Sequence, residues 1–220
     1  MAHSPAEAKE SSDSTDYLEG WAAIQQLLRE GLSWSGNERH CCFLNTGDRH
    51  RFADISALSG LDFLDDGRGL AIVDWDADGD LDFWVANRSG PQLRFLRIDL
   101  NHDNHFVAFR LIGESCNRDA IGARLELELA GGQTRKLIRS LYAGHGYLGQ
   151  SSKWIHFGIE RGHKIKQLTV RWPGGEAQTI SKLELDGRYE IRQGKTAQRL
   201  STEKRKNEFV PTNLVEPPDN

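Results

Sequence analysis

Asp74, Asp76, Asp78, Asp80 and Asp82 occupy every second position of one short stretch, with Gly79 among them. Five carboxylates so close together repel one another, and an ordered loop that carries them needs a counter-charge. A hard cation that takes six to eight oxygen ligands supplies it, and Ca2+ fits best. Asp74, Asp76 and Asp78 then stand at loop positions one, three and five. Gly79 at position six permits the sharp turn, Asp80 at position seven offers its backbone carbonyl, and Asp82 at position nine closes the cage. The competing reading is a solvated acidic turn that holds no metal.

Position twelve decides the kind of loop. An EF-hand places a bidentate Glu there between two helices, whereas this chain has Val85. The flanks, Leu70 to Val73 and Phe83 to Val85, are short runs rich in β-branched and aromatic residues and read as strands. The expectation is a strand–loop–strand calcium site.

Other chemistry is sparse. His145 lies between glycines, His156 lies on a strand pattern beside Phe157, and Ser151 and Ser152 are near both, yet no Gly-x-Ser-x-Gly elbow or orienting acid accompanies them. On strand alternation His156 shares a face with Trp154, which predicts a packed, hydrogen-bonded histidine. Glycine-rich segments such as Ala143 to Gly149 lack the Lys-Ser/Thr step that holds phosphates. Asn117, Arg118 and Asp119 read as a loop that fixes itself through side-chain to backbone hydrogen bonds, or alternatively as a recognition loop. Cys41, Cys42 and Cys116 form neither a disulfide framework nor a zinc quartet.

The elements that must position these residues follow from periodicity. Residues 1–40 read as a disordered polar start and an amphipathic helix, capped by Asp13 or Ser14, with Tyr17, Trp21, Ile24 and Leu28 on one face and Gly31 at its end. Its apolar face is expected to dock on the rest of the chain, with Trp34 adding to the apolar supply, or alternatively on a partner. Residues 41–100 read as a small β unit around the acidic loop. Residues 101–194 carry seven short strand patterns separated by turn signals such as Pro173-Gly174-Gly175, which predicts an antiparallel β-sandwich. Residues 195–220 are polar and locally basic, without periodicity, and read as a tail.

Two family resemblances overlie this reading. Asp74 to Asp82, with Phe43 to Asp48 and Phe52 to Ser56 before it, resembles an FG-GAP repeat with its calcium loop. Asn117 to Arg124, Gly144 to Ser152 followed by His156-Phe157-Gly158, and Val170 to Gly175 resemble three blocks of the ASPIC/UnbV domain. The pairing and order are similar to those of the cartilage acidic protein-like family. The resemblance implies a mainly β chain: an ASPIC/UnbV-like antiparallel sandwich packed with one FG-GAP-like blade and a short N-terminal helix. Relatives of this kind carry several such repeats, so a single blade must pack on the sandwich, the helix or another molecule.

Composition narrows the function. Lys plus Arg total 28 against 32 acidic residues, a net charge of −4, which argues against a nucleic-acid binder driven by overall charge. No apolar run approaches the length of a membrane span. The expected function is a non-catalytic, calcium-stabilised β-rich module that engages a protein or a glycan. The alternative is an enzyme or accessory protein of a biosynthetic pathway, since the UnbV name is attached to enediyne natural-product gene clusters. A polar pocket that gathers His145, Tyr147, Gln150 and His156 would favour it. The resemblance implies export, although Met1 to Glu10 show no signal-peptide pattern.

Overall fold

The computed structural model describes residues 14–30, 38–48, 51–88, 90–99, 102–131 and 134–201. The expected disordered start, the Asp13 cap, Gly31, Trp34 and the tail from residue 202 lie outside the described residues. The chain divides into two compact units, residues 1–67 with 87–92, and residues 68–86 with 93–220.

The first unit contains α1 (Ser14–Arg29), the hairpin of β1 (Phe43–Asn45) and β2 (Phe52–Asp54), and the short α2 (Ser56–Ser59). Phe43 pairs with Asp54 across the antiparallel hairpin. On the expected apolar face of α1, Tyr17 and Trp21 are exposed and Ile24 is half-buried, so these described residues are not docked as a buried stripe. The polar interior of the unit lies elsewhere. Asp65 and Asp66 are buried; the Asp65 carboxylate accepts from Asn87 Nδ2 at 3.3 Å, and the Asp66 carbonyl accepts the Arg88 N–H at 3.0 Å.

The second unit holds a sandwich of two four-stranded sheets. One has the order β11 (Ala177–Ile180), β10 (Lys164–Arg171), β7 (Arg124–Ala130), β8 (Arg135–Ser140). The other has the order β13 (Gln198–Leu200), β12 (Gly187–Arg192), β6 (His105–Ile112), β9 (Ile155–Ile159). The chain is mainly β, as its turn spacing predicts, and nearly all pairings are antiparallel. Among the described pairings, β6 and β12 join in parallel, with Phe109 opposite Tyr189.

Alternation explains the core. Leu125, Leu127 and Leu129 of β7 point inward and are buried; in one cluster with them are Val107, Phe109, Phe157 and Ile191 of the opposite sheet and Leu168 and Val170 of the neighbouring β10. Glu126 and Glu128 alternate outward and pair with Arg171 and Lys166 of β10. Within β10 a bulge between Ile165 and Gln167 interrupts the period of two. The described part of the expected tail is also partly ordered: β13 pairs with the edge of β12, Leu200 opposite Arg188. A three-residue edge strand carries no alternation long enough to be read.

A third sheet, in the order β3 (Gly67–Val73), β4 (Asp82–Asn87), β5 (Leu93–Leu96), flanks the acidic loop. Trp84 of β4 lies opposite Phe95 of β5, ring centroids 4.6 Å apart, and Trp75 from the loop completes the aromatic cluster at 5.4 Å from Trp84.

Candidate metal centre

The acidic loop joins β3 to β4, so two paired strands fix its ends. Asp74, Asp76 and Asp78 each bring one carboxylate oxygen to within 4.8 Å of the others. Asp74 is 9 % exposed, and neither of its oxygens has a hydrogen-bond partner; Asp76 Oδ1 is likewise buried and unpartnered. Buried carboxylate oxygens normally find donors, because leaving them dry costs several kcal/mol of lost hydration. Burial accordingly pushes the Asp74 carboxyl up to about 6, with Arg188 and the nearby Gly79 amide opposing the rise and Asp78 and Asp76 adding to it. Burial raises Asp78 too. Clustered carboxylate oxygens, those of Asp74 and one of Asp76 unsatisfied, are hard donors of the kind that suits Ca2+.

Asp80 and Asp82 stand apart from that trio. Asp82 is fully buried, and its two oxygens accept the backbone N–H groups of Trp75 and Ile98, each at 2.9 Å. Where the sequence suggests that Asp82 closes the cage, the structure uses it to staple the loop's start to the chain beyond β5. The Asp80 amide donates to Asp78 Oδ1 at 2.9 Å, while Asp80 Oδ1 lies 3.5 Å from His102 Nε2.

The loop rests on the outer face of the sheet β13-β12-β6-β9. Gly79 has φ +104, and a Cβ there would stand 2.3 Å from the Phe106 ring, so no other residue fits without displacing the ring. Phe106 stacks on His156 at 5.3 Å with the rings nearly parallel. His156 is packed, as expected, and burial holds it below the usual histidine range. Its Nε2 has no hydrogen-bond partner. Arg188 of β12 lies over the Trp154 ring at 4.2 Å and is the cation that acts on Asp74. Sequence reasoning passed over Arg188 and Phe106. The signal was Phe106 to Phe109, where Val107 and Ala108 leave no polar position and mark a strand covered on both sides. Ala108, opposite both His156 and Arg188, is only 2 % exposed.

The β3 strand is held by a second loop: the Ile72 amide donates to Ser151 Oγ at 3.2 Å, and the Ser152 amide donates to the Ile72 carbonyl at 3.1 Å. That loop also carries His145, Tyr147 and Gln150, all exposed, with His145 edge-on to Tyr142 at 5.7 Å. The structure therefore does not gather them with His156 into one pocket. Asn117 ties its own loop, donating from Nδ2 to the Ile121 carbonyl at 2.9 Å and accepting the Ile121 amide at 2.7 Å. Asp119 pairs with Lys153, which holds its carboxyl below the usual range, and Arg118 beside it is exposed. Cys41, Cys42 and Cys116 are free thiols.

No described helix is long and apolar enough to cross a membrane. No curated protein matches the chain at a significant level. The stretch that includes the Asn117 loop, the Ser151 clamp and β7 to β12 does have a counterpart: residues 113–198 match the family model for ASPIC and UnbV, and the chain carries that domain.

Proposed function

We propose that this chain is a non-catalytic, calcium-stabilised β-rich module that binds a protein or a glycan, its acidic loop resembling that of an FG-GAP repeat. The observation that carries the reading is the Asp74, Asp76 and Asp78 trio, in which neither oxygen of a carboxylate nine-tenths buried makes a hydrogen bond of good geometry, the Gly79 amide acting on it only from nearby. Asp74, Asp76 and Asp78 would hold the ion through side chains, and the Asp80 carbonyl is the further donor that the loop spacing offers. The bound ion would supply charge neutralisation that joins β3, β4 and the sheet beneath them. Asp82 anchors the loop independently of the metal.

The biosynthetic alternative rested on a shared pocket of His145, Tyr147, Gln150 and His156. Three of these are exposed, and no arrangement of nucleophile, base and orienting acid stands among the described residues to favour it.

Thermal unfolding in excess EDTA, in millimolar Ca2+ and in Mg2+ tests the reading. A ligand that binds only the folded state adds about 2.7 kcal/mol at a hundredfold excess over Kd. The expected result is a Ca2+-selective rise in Tm that Asp76→Ala abolishes. An unchanged midpoint in Ca2+ would reduce the loop to an acidic turn.

A further inference from the structure

The acidic loop forms one wall of an open groove of about 1120 Å3. Gly158 and Ile159 of β9 and Arg135 and Arg139 of β8 line it farther along. Both β8 and β9 are edge strands of their sheets, so the groove follows the side of the sandwich that no ladder closes.

The lining is acidic on balance, and its charges are sorted along its length. Asp78, Asp80, Glu160 and Asp186 stand against Arg135 and Arg139. Both arginines belong to β8, where Arg135 comes within 3.7 Å of Glu160. The other three carboxylates gather around Phe106. The Asp186 amide donates to the Phe106 carbonyl at 2.7 Å, and Gly79, between Asp78 and Asp80, packs on the Phe106 ring. Two imidazoles accompany them, His105 Nδ1 at 2.8 Å from Asp186 and His102 Nε2 at 3.5 Å from Asp80. No lysine or arginine is among the described lining residues at this end.

The last described strand leads to the same end. β13 runs antiparallel to β12 with Leu200 opposite Arg188, so the steps that follow head toward Gly187 and Asp186. Arg199 already donates from Nη2 to the Asp186 carbonyl at 3.4 Å. Beyond Ser201 come Thr202 and Glu203, then the basic triplet Lys204, Arg205 and Lys206, which lies outside the described residues. Three residues of extended chain reach at most about 11 Å, and paired strands stand about 5 Å apart. Lys204 is therefore within reach of Asp186 and of the loop beyond it.

We propose that Lys204, Arg205 and Lys206 dock in the acidic end of this groove, against Asp186, Asp80 and Asp78, as a counter-charge carried by the chain itself. Arg135 and Arg139 repel the triplet from the far end and confine it to the near one. The loop also has an unmet need for positive charge, because Asp74 is nine-tenths buried and neither of its oxygens makes a hydrogen bond. A Ca2+ ion on Asp74, Asp76 and Asp78 would cancel the charge that holds the triplet, so ion and segment compete. That competition rests on the calcium reading; the docking does not.

Carbodiimide crosslinking of the full chain, read by peptide mass spectrometry, tests the contact, since a zero-length link needs an ammonium against a carboxylate. Calorimetric titration with Ca2+ tests the competition, comparing the full chain with Lys204→Gln/Arg205→Gln/Lys206→Gln. The expected result is an intramolecular link from Lys204 or Lys206 to Asp186, Asp80 or Asp78 in metal-free buffer, suppressed by millimolar Ca2+. The triple variant should bind Ca2+ at least about threefold more tightly than the parent. Added salt should narrow that difference. Links from these lysines only to other carboxylates, or only between two copies of the chain, overturn the proposal. A Ca2+ affinity that the triple variant leaves unchanged overturns it as well. If neither chain binds Ca2+, the calcium reading and the competition fall together. The crosslinks then decide the docking alone: their presence retains the triplet as the standing counter-charge of the loop, and their absence removes it from the groove.

Discussion

Asp76 and Asp82 share one loop, yet their carboxylates face different company. Asp76 has a buried oxygen with no donor, whereas both oxygens of Asp82 accept backbone amides. Asp82→Asn replaces one acceptor by an NH2 group, which faces an amide donor and leaves it unsatisfied. The expected cost is about 1–3 kcal/mol, present in EDTA as fully as in Ca2+. Asp76→Ala is expected to change little in EDTA and to remove the Ca2+ increment. Urea unfolding of both variants with and without the ion reads the difference; equal responses would make Asp82 a ligand after all. Sequence spacing marked all five aspartates as one set, because the period of two is a linear property. Which oxygens are capped by the amides of Trp75 and Ile98 depends on where the chain returns after β5, and spacing holds no record of that.

At the scale of elements, the sandwich strands were legible wherever one face is wet. The run from Arg124 to Leu129 alternates strictly, and its leucines are the buried ones. Leu127→Ala should therefore cost about 2–5 kcal/mol, as a core truncation does. Chemical denaturation should show the lower midpoint with m unchanged. A loss below about 1 kcal/mol would mean the two sheets close over the gap. The helix pattern from Tyr17 was legible as well, but its apolar face is exposed, because periodicity identifies a stripe without identifying what covers it. The short edge strand β13 and the bulge in β10 escaped for the opposite reason: they break or fall short of the period that makes strands readable.

For the molecule as a whole, charge placement across the loop and the sandwich matters more than the net value of −4. Arg188 lies on the sandwich and acts on Asp74 in the loop, so it supports the metal-free carboxylate and competes with any cation there. Arg188→Gln is expected to lower Tm in EDTA, through the lost counter-charge and the lost packing on Trp154, and to enlarge the rise that Ca2+ produces. Parallel melts of the variant and the parent chain check it. An unchanged Ca2+ increment would show that Arg188 does not sense the loop's charge. The same placement makes the Ala108 side of β6 a buried surface, although it lies on the outside of the sandwich.

By itself the sequence determined that the chain is mainly β, where its leucine-lined core strands run, and that the aspartates from Asp74 to Asp82 form one acidic set, while for the Asn117 loop it left two readings open. These are local properties, set by side-chain period, turn chemistry and spacing along a few residues. The tertiary structure alone decided that Asp82 is an anchor, that Arg188, Phe106 and His156 sit beneath the loop, and that β8 and β9 leave a groove beside it. It also separated His145, Tyr147 and Gln150 from His156. Each of these depends on which distant strands become neighbours, and a parallel pairing such as β6 with β12 joins residues some eighty positions apart. No periodicity along the chain encodes such a meeting; it is set by how two sheets and a loop together bury the most apolar surface while leaving the fewest polar groups unpaired.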